Sequence, residues 1–258
     1  MTSQFHPKND ATKRKQTSPD SESSSTCGPQ PSAWNEDASR RKFFQMAVGG
    51  AVAAAGMGFL APSSALAQSL LTPEQALKEL LEGNKRFVAG RLRSFFQDLA
   101  ILRNHTSEKQ QPFAAVLACS DSRVPVELIF DQTIGHIFVT RVAGNFTTSE
   151  VIASLEYGAK VLGAKVILVM GHGSCGAVDA TIQHKEAPGQ ISALYPHIQP
   201  AVDKAGPDTD EASKANALIQ AALLRQSSTV VSGLVAEGNL MVLAAFYNIG
   251  SGVVSLLE

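Results

Sequence analysis

Cysteine and tryptophan are scarce in this sequence, and neither sign of charge dominates. Its 258 residues include three cysteines and one tryptophan, and 22 basic residues balance 23 acidic ones to a formal net charge of −1. Beyond the N-terminal segment no stretch clusters lysine and arginine, so nothing indicates a nucleic-acid-binding face. We expect no nucleic-acid partner, and a small-molecule or protein partner instead.

The composition is that of a soluble globular protein. Hydrophobic residues make up 44% and charged residues 17% of the chain, which allows a sizeable core in one domain or two. Cys27 and Trp34 lie in a polar N-terminal segment, which leaves Cys119 and Cys175 for the folded part. In an exported protein, two such cysteines first suggest a single disulfide.

The composition and motifs of residues 1–67 indicate a leader rather than part of the folded domain. Residues 1–38 are polar, which favours disorder, and Arg40-Arg41 with the apolar run 43–61 is typical of a twin-arginine signal peptide. Cleavage is predicted after Ala67, which would leave an exported, periplasmic domain of residues 68–258 with no stable membrane span. The alternative is a membrane anchor, because the run approaches the roughly 20 residues that span a bilayer. Its many glycines and alanines favour the cleaved peptide.

Hydrophobic patterns in residues 68–258 predict alternating strands and helices. Thr72-Pro73-Glu74-Gln75 is typical of a helix start, with an N-cap, a proline in the first turn and a capping-box glutamine. The predicted strands span 113–118, 137–142, 166–170 and 240–247, and the predicted helices span 72–90, 149–162 and about 210–224. This alternation favours an α/β fold with a mostly parallel central sheet flanked by helices.

Two cysteine motifs follow predicted strands. Cys119-Ser120-Asp121 comes after the first strand, and His172 and Cys175 come after the third. Ligands of parallel sheets bind beyond the carboxyl ends of the strands, so these side chains are expected to converge. Two thiolates, an imidazole and a carboxylate are ligand types that suit a tetrahedral zinc ion. The sequence therefore predicts a zinc site at Cys119, Asp121, His172 and Cys175.

Arg123 bears on whether that site is structural or catalytic. Four protein ligands close a zinc site, whereas catalysis needs an open position for water. Placed two residues after Asp121, Arg123 could hold the carboxylate in a bidentate pair and keep it off the metal. The open site would then consist of Cys119, His172, Cys175 and water. A plain surface ion pair is the alternative for Asp121 and Arg123.

The motifs together resemble the β-carbonic anhydrases. The resemblance covers essentially all of residues 71–257 and rests on Cys119-Ser120-Asp121-Ser122-Arg123-Val124-Pro125, Gly171-His172-Gly173-Ser174-Cys175-Gly176, Arg141-Val142-Ala143-Gly144-Asn145 and Glu156-Tyr157. It implies the family fold, with an N-terminal helical arm, and reversible hydration of CO2 to bicarbonate by a zinc-bound hydroxide. It also implies one zinc ion per subunit and assembly as a homodimer or homotetramer.

The resemblance assigns roles to individual residues. Cys119, His172 and Cys175 would be zinc ligands, and Asp121 with Arg123 would form a catalytic dyad in which Asp121 either holds the hydroxide or replaces it on zinc. A further set would line the CO2/bicarbonate pocket, in part across a subunit boundary: Gln110, Phe138 and Tyr157. Family members with an inhibitory bicarbonate site carry a tryptophan where this chain has Val116, so that second site is not expected.

Three other functions remain open on the sequence. The same fold could hydrolyse CS2 or COS instead of hydrating CO2. Zinc could be purely structural or sensory, with Asp121 fixed on the metal. Cys175 could be a nucleophile activated by His172, which requires no metal.

Overall fold

The computed structural model describes residues 70–93 and 110–258. The predicted leader, its twin-arginine pattern and the cleavage position after Ala67 lie outside the described residues. Among the helices of the described part, none is long and apolar enough to cross a bilayer.

A five-stranded sheet forms the centre of the described residues, with helices on both faces. The strands are β1 (Ala114–Ala118), β2 (Ile137–Arg141), β3 (Val166–His172), β4 (Met241–Tyr247) and β5 (Val254–Leu257), in the order β2-β1-β3-β4-β5. The first four pair in parallel and β5 is antiparallel to β4. The helices are α1 (Pro73–Val88), α2 (Val126–Ile129), α3 (Ser149–Glu156), α4 (Gly176–Ile182), α5 (Tyr195–Ala205), α6 (Thr209–Ser227) and α7 (Thr229–Ala236).

Alternating side chains of the central strands build two hydrophobic cores. Val116 and Leu168 face α1 and α2 on one side of the sheet. Leu117 and Val169 face α3, α6 and α7 on the other. Because successive strand residues point to opposite faces, a strand with a core on each side must be apolar at every position. The unbroken apolar runs in the sequence have this cause.

The predicted α/β fold with a mostly parallel sheet is confirmed, and the four predicted strands occur with ends shifted by at most two residues. One predicted helix differs in kind. The run predicted as one α-helix over 149–162 is α-helical only to Glu156 and continues as a π-helical turn over Tyr157–Val161. Gly158 in this turn lies against Phe138 of β2, and a Cβ atom there would be 2.9 Å from the Phe138 ring.

Helix α1 begins with the predicted capping box. The Gln75 N–H donates to the Thr72 hydroxyl at 3.3 Å, and the Thr72 N–H donates to the Gln75 side-chain oxygen at 2.9 Å. These bonds satisfy two backbone groups that the first turn of a helix leaves without partners. Ala76 and Leu80 on the inner face are fully buried against the sheet.

The Asn84 side chain connects the C-terminal half of α1 to neighbouring backbone by hydrogen bonds. Its side chain is buried, and its amide nitrogen donates to the carbonyls of Ile129 at 3.2 Å and Gly252 at 2.9 Å. Its amide oxygen accepts from the Val254 N–H at 2.9 Å. One side chain therefore satisfies three backbone groups, on α2, on β5 and on the turn before β5.

We predict that Asn84→Ala lowers the free energy of unfolding by about 3 kcal/mol or more, because it leaves three backbone groups without this partner and each unpaired buried group costs roughly 1–3 kcal/mol. Urea unfolding measures the change. Lys78→Ala, on the exposed side of the same helix, is the control and should change stability by less than about 0.5 kcal/mol. Equal urea midpoints for the two variants would contradict the role assigned to Asn84.

Candidate metal centre

Cys119, His172 and Cys175 meet at the carboxyl edge of the sheet. Cys119 follows the last residue of β1, His172 ends β3, and Cys175 immediately precedes α4. Strands β1 and β3 are parallel neighbours with Ala118 opposite Met170, so both chains leave the sheet at the same point. The two sulfur atoms and an imidazole nitrogen all lie within 4.8 Å of one another, and all three residues are buried.

The imidazole of His172 is oriented as a metal ligand. Its Nδ1 lies 2.9 Å from the Gly173 carbonyl oxygen, to which it donates as N–H, and this leaves the lone pair on Nε2. Among the described residues, Nε2 has no hydrogen-bond partner although it is buried. A buried nitrogen lone pair without a partner is costly in a folded protein. A cation between the ligand atoms would remove that cost, so the residues fit a metal ion.

The two thiols also fit a cation. Their sulfur atoms are 4.0 Å apart and both cysteines are free, whereas a disulfide requires about 2.05 Å; the disulfide interpretation is therefore wrong. The pKa of Cys119 is lowered, chiefly by the hydrogen bond with the Cys175 thiol and then by His172 and the Gly144 N–H. The same contact and burial raise the pKa of Cys175. The pair holds one thiolate readily, and a second one requires a nearby positive charge.

A glycine loop supports the Cys119 sulfur. The Gly144 N–H donates to this sulfur at 3.3 Å, and the buried side-chain amide of Asn216 on α6 donates to the Gly144 carbonyl at 2.8 Å. Gly144 has φ +86°, and a Cβ atom there would lie 2.6 Å from Ile198 Cδ1. Asn216 lies 72 residues from Gly144 and is not among the site residues predicted from the sequence. Its only sequence signal is a polar residue on the inner face of a helix.

Asp121 lies beside the three ligands and is held by Arg123. The guanidinium donates from Nε to Oδ1 at 3.0 Å and from Nη2 to Oδ2 at 2.7 Å. Asp121 Oδ2 is 4.0 Å from His172 Nε2. The hydrogen bonds from Arg123 lower the pKa of Asp121 to about 2, so the carboxylate is ionised at neutral pH. Asp121 is near the three buried ligands but outside the group they form.

Arg141 fixes the backbone that carries Cys119 and Asp121. Its guanidinium donates to the Cys119 carbonyl at 2.9 Å and to the Asp121 carbonyl at 2.5 Å. Arg141 therefore supports the loop that carries Cys119 and Asp121. Val116, which stands where some family members carry a tryptophan, is fully buried and fills part of the core.

The predicted pocket residues lie apart from the ligands within this chain. Phe138 is opposite Ala115, four residues before Cys119, which places it about 13 Å from the ligand edge at 3.3 Å per residue. Tyr157 is 48% exposed, and its ring centroid is 6.3 Å from that of Phe138. Gln110 is exposed. The structure thus brings Phe138 and Tyr157 together but does not bring these residues to the metal centre of the same chain.

A family model described as carbonic anhydrase matches residues 114–254. Carbonic anhydrase 2 of Mycobacterium tuberculosis is 36% identical over 188 residues, which are 70% of this chain and 90% of that protein. The carbonic anhydrase of Mycolicibacterium smegmatis is 36% identical over 194 residues, 71% of this chain and 93% of that protein.

Solved structures agree with these sequence matches. The β-carbonic anhydrase CcaA is 26% identical with a TM-score of 0.57, over 70% of this chain and 87% of that chain. The β-carbonic anhydrase CafA of Aspergillus fumigatus is 25% identical with a TM-score of 0.57, over 70% of this chain and 90% of that chain.

We predict that Gly144→Ala weakens metal binding by about 10- to 100-fold, the range typical of losing a group that supports a ligand. The methyl group would press on buried Ile198 and shift the N–H away from the Cys119 sulfur. Competition with a chromophoric chelator measures the affinity. Gly238→Ala is the control, because Gly238 also has positive φ but a Cβ atom there meets nothing within 4 Å. Equal loss of affinity in both variants would contradict the role of the Gly144 N–H.

Proposed function

The chain belongs to the β-class carbonic anhydrase family, and from this we propose that it catalyses the reversible hydration of CO2 to bicarbonate with one zinc ion per subunit. The observation that carries the proposal is the buried group of Cys119, His172 and Cys175, in which His172 Nε2 lacks a partner among the described residues. Two thiolates and one imidazole are ligand types that favour zinc. When bound, zinc would supply a hydroxide by lowering the pKa of its water. That pKa would lie above the value of about 7 known for the three-histidine zinc of a carbonic anhydrase, because two thiolates leave the metal less electron-poor.

Asp121 and Arg123 prepare the side of the site where the nucleophilic oxygen would lie. Arg123 uses two donors on Asp121, which keeps this carboxylate ionised and fixes its plane. An ionised carboxylate is only an acceptor. Asp121 would therefore accept a hydrogen bond from the nucleophile and aim the oxygen lone pair at CO2.

The same pair would leave the metal open on one side. The two guanidinium bonds hold the carboxylate outside the group of three ligands, and coordination of the metal as fourth ligand would require it to move from this position. We propose that the form with Arg123 bound to Asp121 is the active one, and that Asp121 on zinc is the closed one. The protein ligands of the active form are then Cys119, His172 and Cys175.

The substrate pocket is proposed to be completed by a second copy of the chain. Gln110, Phe138 and Tyr157 would serve a neighbouring metal centre, since Tyr157 and Gln110 are exposed and Phe138 lies far from the ligands of its own chain. A second apolar surface favours association as well. It is a groove of about 410 Å³ between α1 and β5, lined in part by Val88, Val253 and Leu256, each more than a third exposed. We propose a homodimer or homotetramer.

Export is proposed from the leader alone. Residues 1–67 would direct the chain to the periplasm by the twin-arginine route, with cleavage after Ala67. If so, N-terminal sequencing of protein from the periplasmic fraction should begin at Gln68, and replacing Arg40 and Arg41 by lysine should retain the full-length chain inside the cell. Periplasmic protein that still begins at Met1 would contradict cleavage.

Sedimentation velocity on the same material tests the oligomeric state, and a monomer would contradict the shared pocket.

The principal test is stopped-flow CO2 hydration with zinc quantified in the same sample. We predict hydration proportional to bound zinc, and a fall in kcat of about 100-fold in Asp121→Ala with zinc retained, because the variant loses the acceptor that orients the nucleophile. Asp179→Ala is the control, because it removes a carboxylate of α4 that pairs with Lys185 at 3.0 Å instead. It should keep both zinc and activity.

Each rival function has a distinct result in this experiment. Stoichiometric zinc without hydration would favour a structural or sensory site. Faster turnover of CS2 or COS than of CO2 would favour the hydrolase on the same fold. Activity that survives complete removal of zinc by a chelator would favour Cys175 as a nucleophile. Any of the three would overturn the proposal.

A further inference from the structure

Ser174 lies between two of the predicted ligands in a backbone conformation that serine rarely adopts. Its φ is +53°, in the left-handed region that is unfavourable for a residue with a Cβ atom. Gly173 and Ser174 join His172, the last residue of β3, to Cys175, so the direction of Cys175 relative to His172 depends on the conformation of this segment. A strained conformation of this kind persists only where the surroundings hold it.

Two charged side chains hold the two peptide groups of Ser174. The Ser174 N–H donates to Asp210 Oδ1 at 2.9 Å, and Arg123 Nη2 donates to the Ser174 carbonyl at 3.1 Å. The preceding N–H, of Gly173, donates to the Tyr247 carbonyl at 3.0 Å. The segment between the ligands is thus fastened from α6, from the Cys119 loop and from β4.

Asp210 does not cap its own helix. The N-cap of α6 is Asp208, whose side chain accepts from the Glu211 N–H at 2.9 Å. Asp210 lies in the first turn and points its carboxylate at the ligand segment, where a Cβ atom on Gly173 would be 3.5 Å from both of its oxygens. Asp208 therefore caps the helix, whereas Asp210 binds the segment between His172 and Cys175.

The chain of contacts continues to the catalytic dyad. Asp210 fixes the Ser174 N–H, Arg123 binds the Ser174 carbonyl, and the same Arg123 binds Asp121 through Nε and Nη2. A rotation of the Ser174 peptides would disturb both the angle between His172 and Cys175 and the guanidinium that holds Asp121. Hydrogen bonds from outside the ligand set commonly tune affinity in this way.

We propose that Asp210 is a positioning residue of this enzyme, which holds Ser174 in its left-handed conformation and through it sets the metal ligands and the Asp121–Arg123 pair. The inference rests on the proposed zinc site. Asp210 is then required for full zinc affinity and activity, although its side chain contacts neither the metal nor the substrate. The acceptor oxygen of its side chain carries the effect.

The test compares Asp210→Ala, Asp210→Asn and the double variant Asp210→Ala with Ser174→Gly, all in the full chain. Zinc affinity by chelator competition, the absorption spectrum of the cobalt-substituted protein, and kcat with KM are measured on each. Asp210→Ala should bind zinc about 10- to 100-fold more weakly, with an altered cobalt spectrum and a lower kcat. Asp210→Asn keeps the acceptor oxygen and should stay within about threefold of the unaltered chain.

Ser174→Gly should restore most of the affinity that Asp210→Ala loses, because glycine adopts positive φ without strain and the exposed Ser174 side chain leaves no cavity. Asp208→Ala is the matched control on the same turn. It should lower the melting temperature of the metal-free protein and leave zinc affinity and the cobalt spectrum unchanged.

Three results would overturn the inference. The first is Asp210→Ala with unaltered affinity, spectrum and kcat. The second is an equal loss in Asp208→Ala, and the third is a loss that Ser174→Gly fails to restore. Failure of the proposed function is distinct from all three, because there the unaltered chain itself would bind no zinc or hydrate no CO2.

Discussion

The parallel pairing of β1 with β3 is the constraint on which the rest of this structure depends. With Ala118 opposite Met170, Cys119 and His172 leave the sheet at one edge and on adjacent strands. Parallel strands can be joined only by crossovers, and the chain from β1 to β3 makes them through α2, β2 and α3. The pairing is stabilised by side chains buried on both faces, and the geometry of the candidate metal centre therefore depends on both hydrophobic cores.

Burying three ligand groups at this edge requires a polar shell that an apolar core cannot supply. The shell is built mainly from backbone groups, each held by a second residue: Gly144 by Asn216, the carbonyls of Cys119 and Asp121 by Arg141, and Ser174 by Asp210 and Arg123. Helix α6 contributes two of these residues, from its first turn and from its middle. Its packing against β3 is close, because a Cβ atom on Gly171 would lie 2.6 Å from the Ser213 carbonyl oxygen.

Several elements could be predicted from local pattern and others could not. The strands of the core, helix α1 with its capping box and helix α6 follow from apolar runs, periodicity and caps that lie within one segment. Helix α5 contains Pro196 and Pro200, which hide its pattern, and α2, α4 and β5 are too short to carry a periodic signal. The π-helical turn over Tyr157–Val161 has no local signature, since its Gly158 lies against a ring on another strand.

For the site, the sequence by itself determined the ligand types, their attachment to strand ends and the proximity of Arg123 to Asp121, because these are matters of residue chemistry and short spacing. Only the tertiary structure decided which backbone groups support them. Asn216 and Asp210 lie 72 and 36 residues from their partners, and nothing in their own segments distinguishes them from other polar residues of an amphipathic helix. Their roles arise from where α6 packs, which is set by shape and burial across the whole core rather than by any short stretch of sequence.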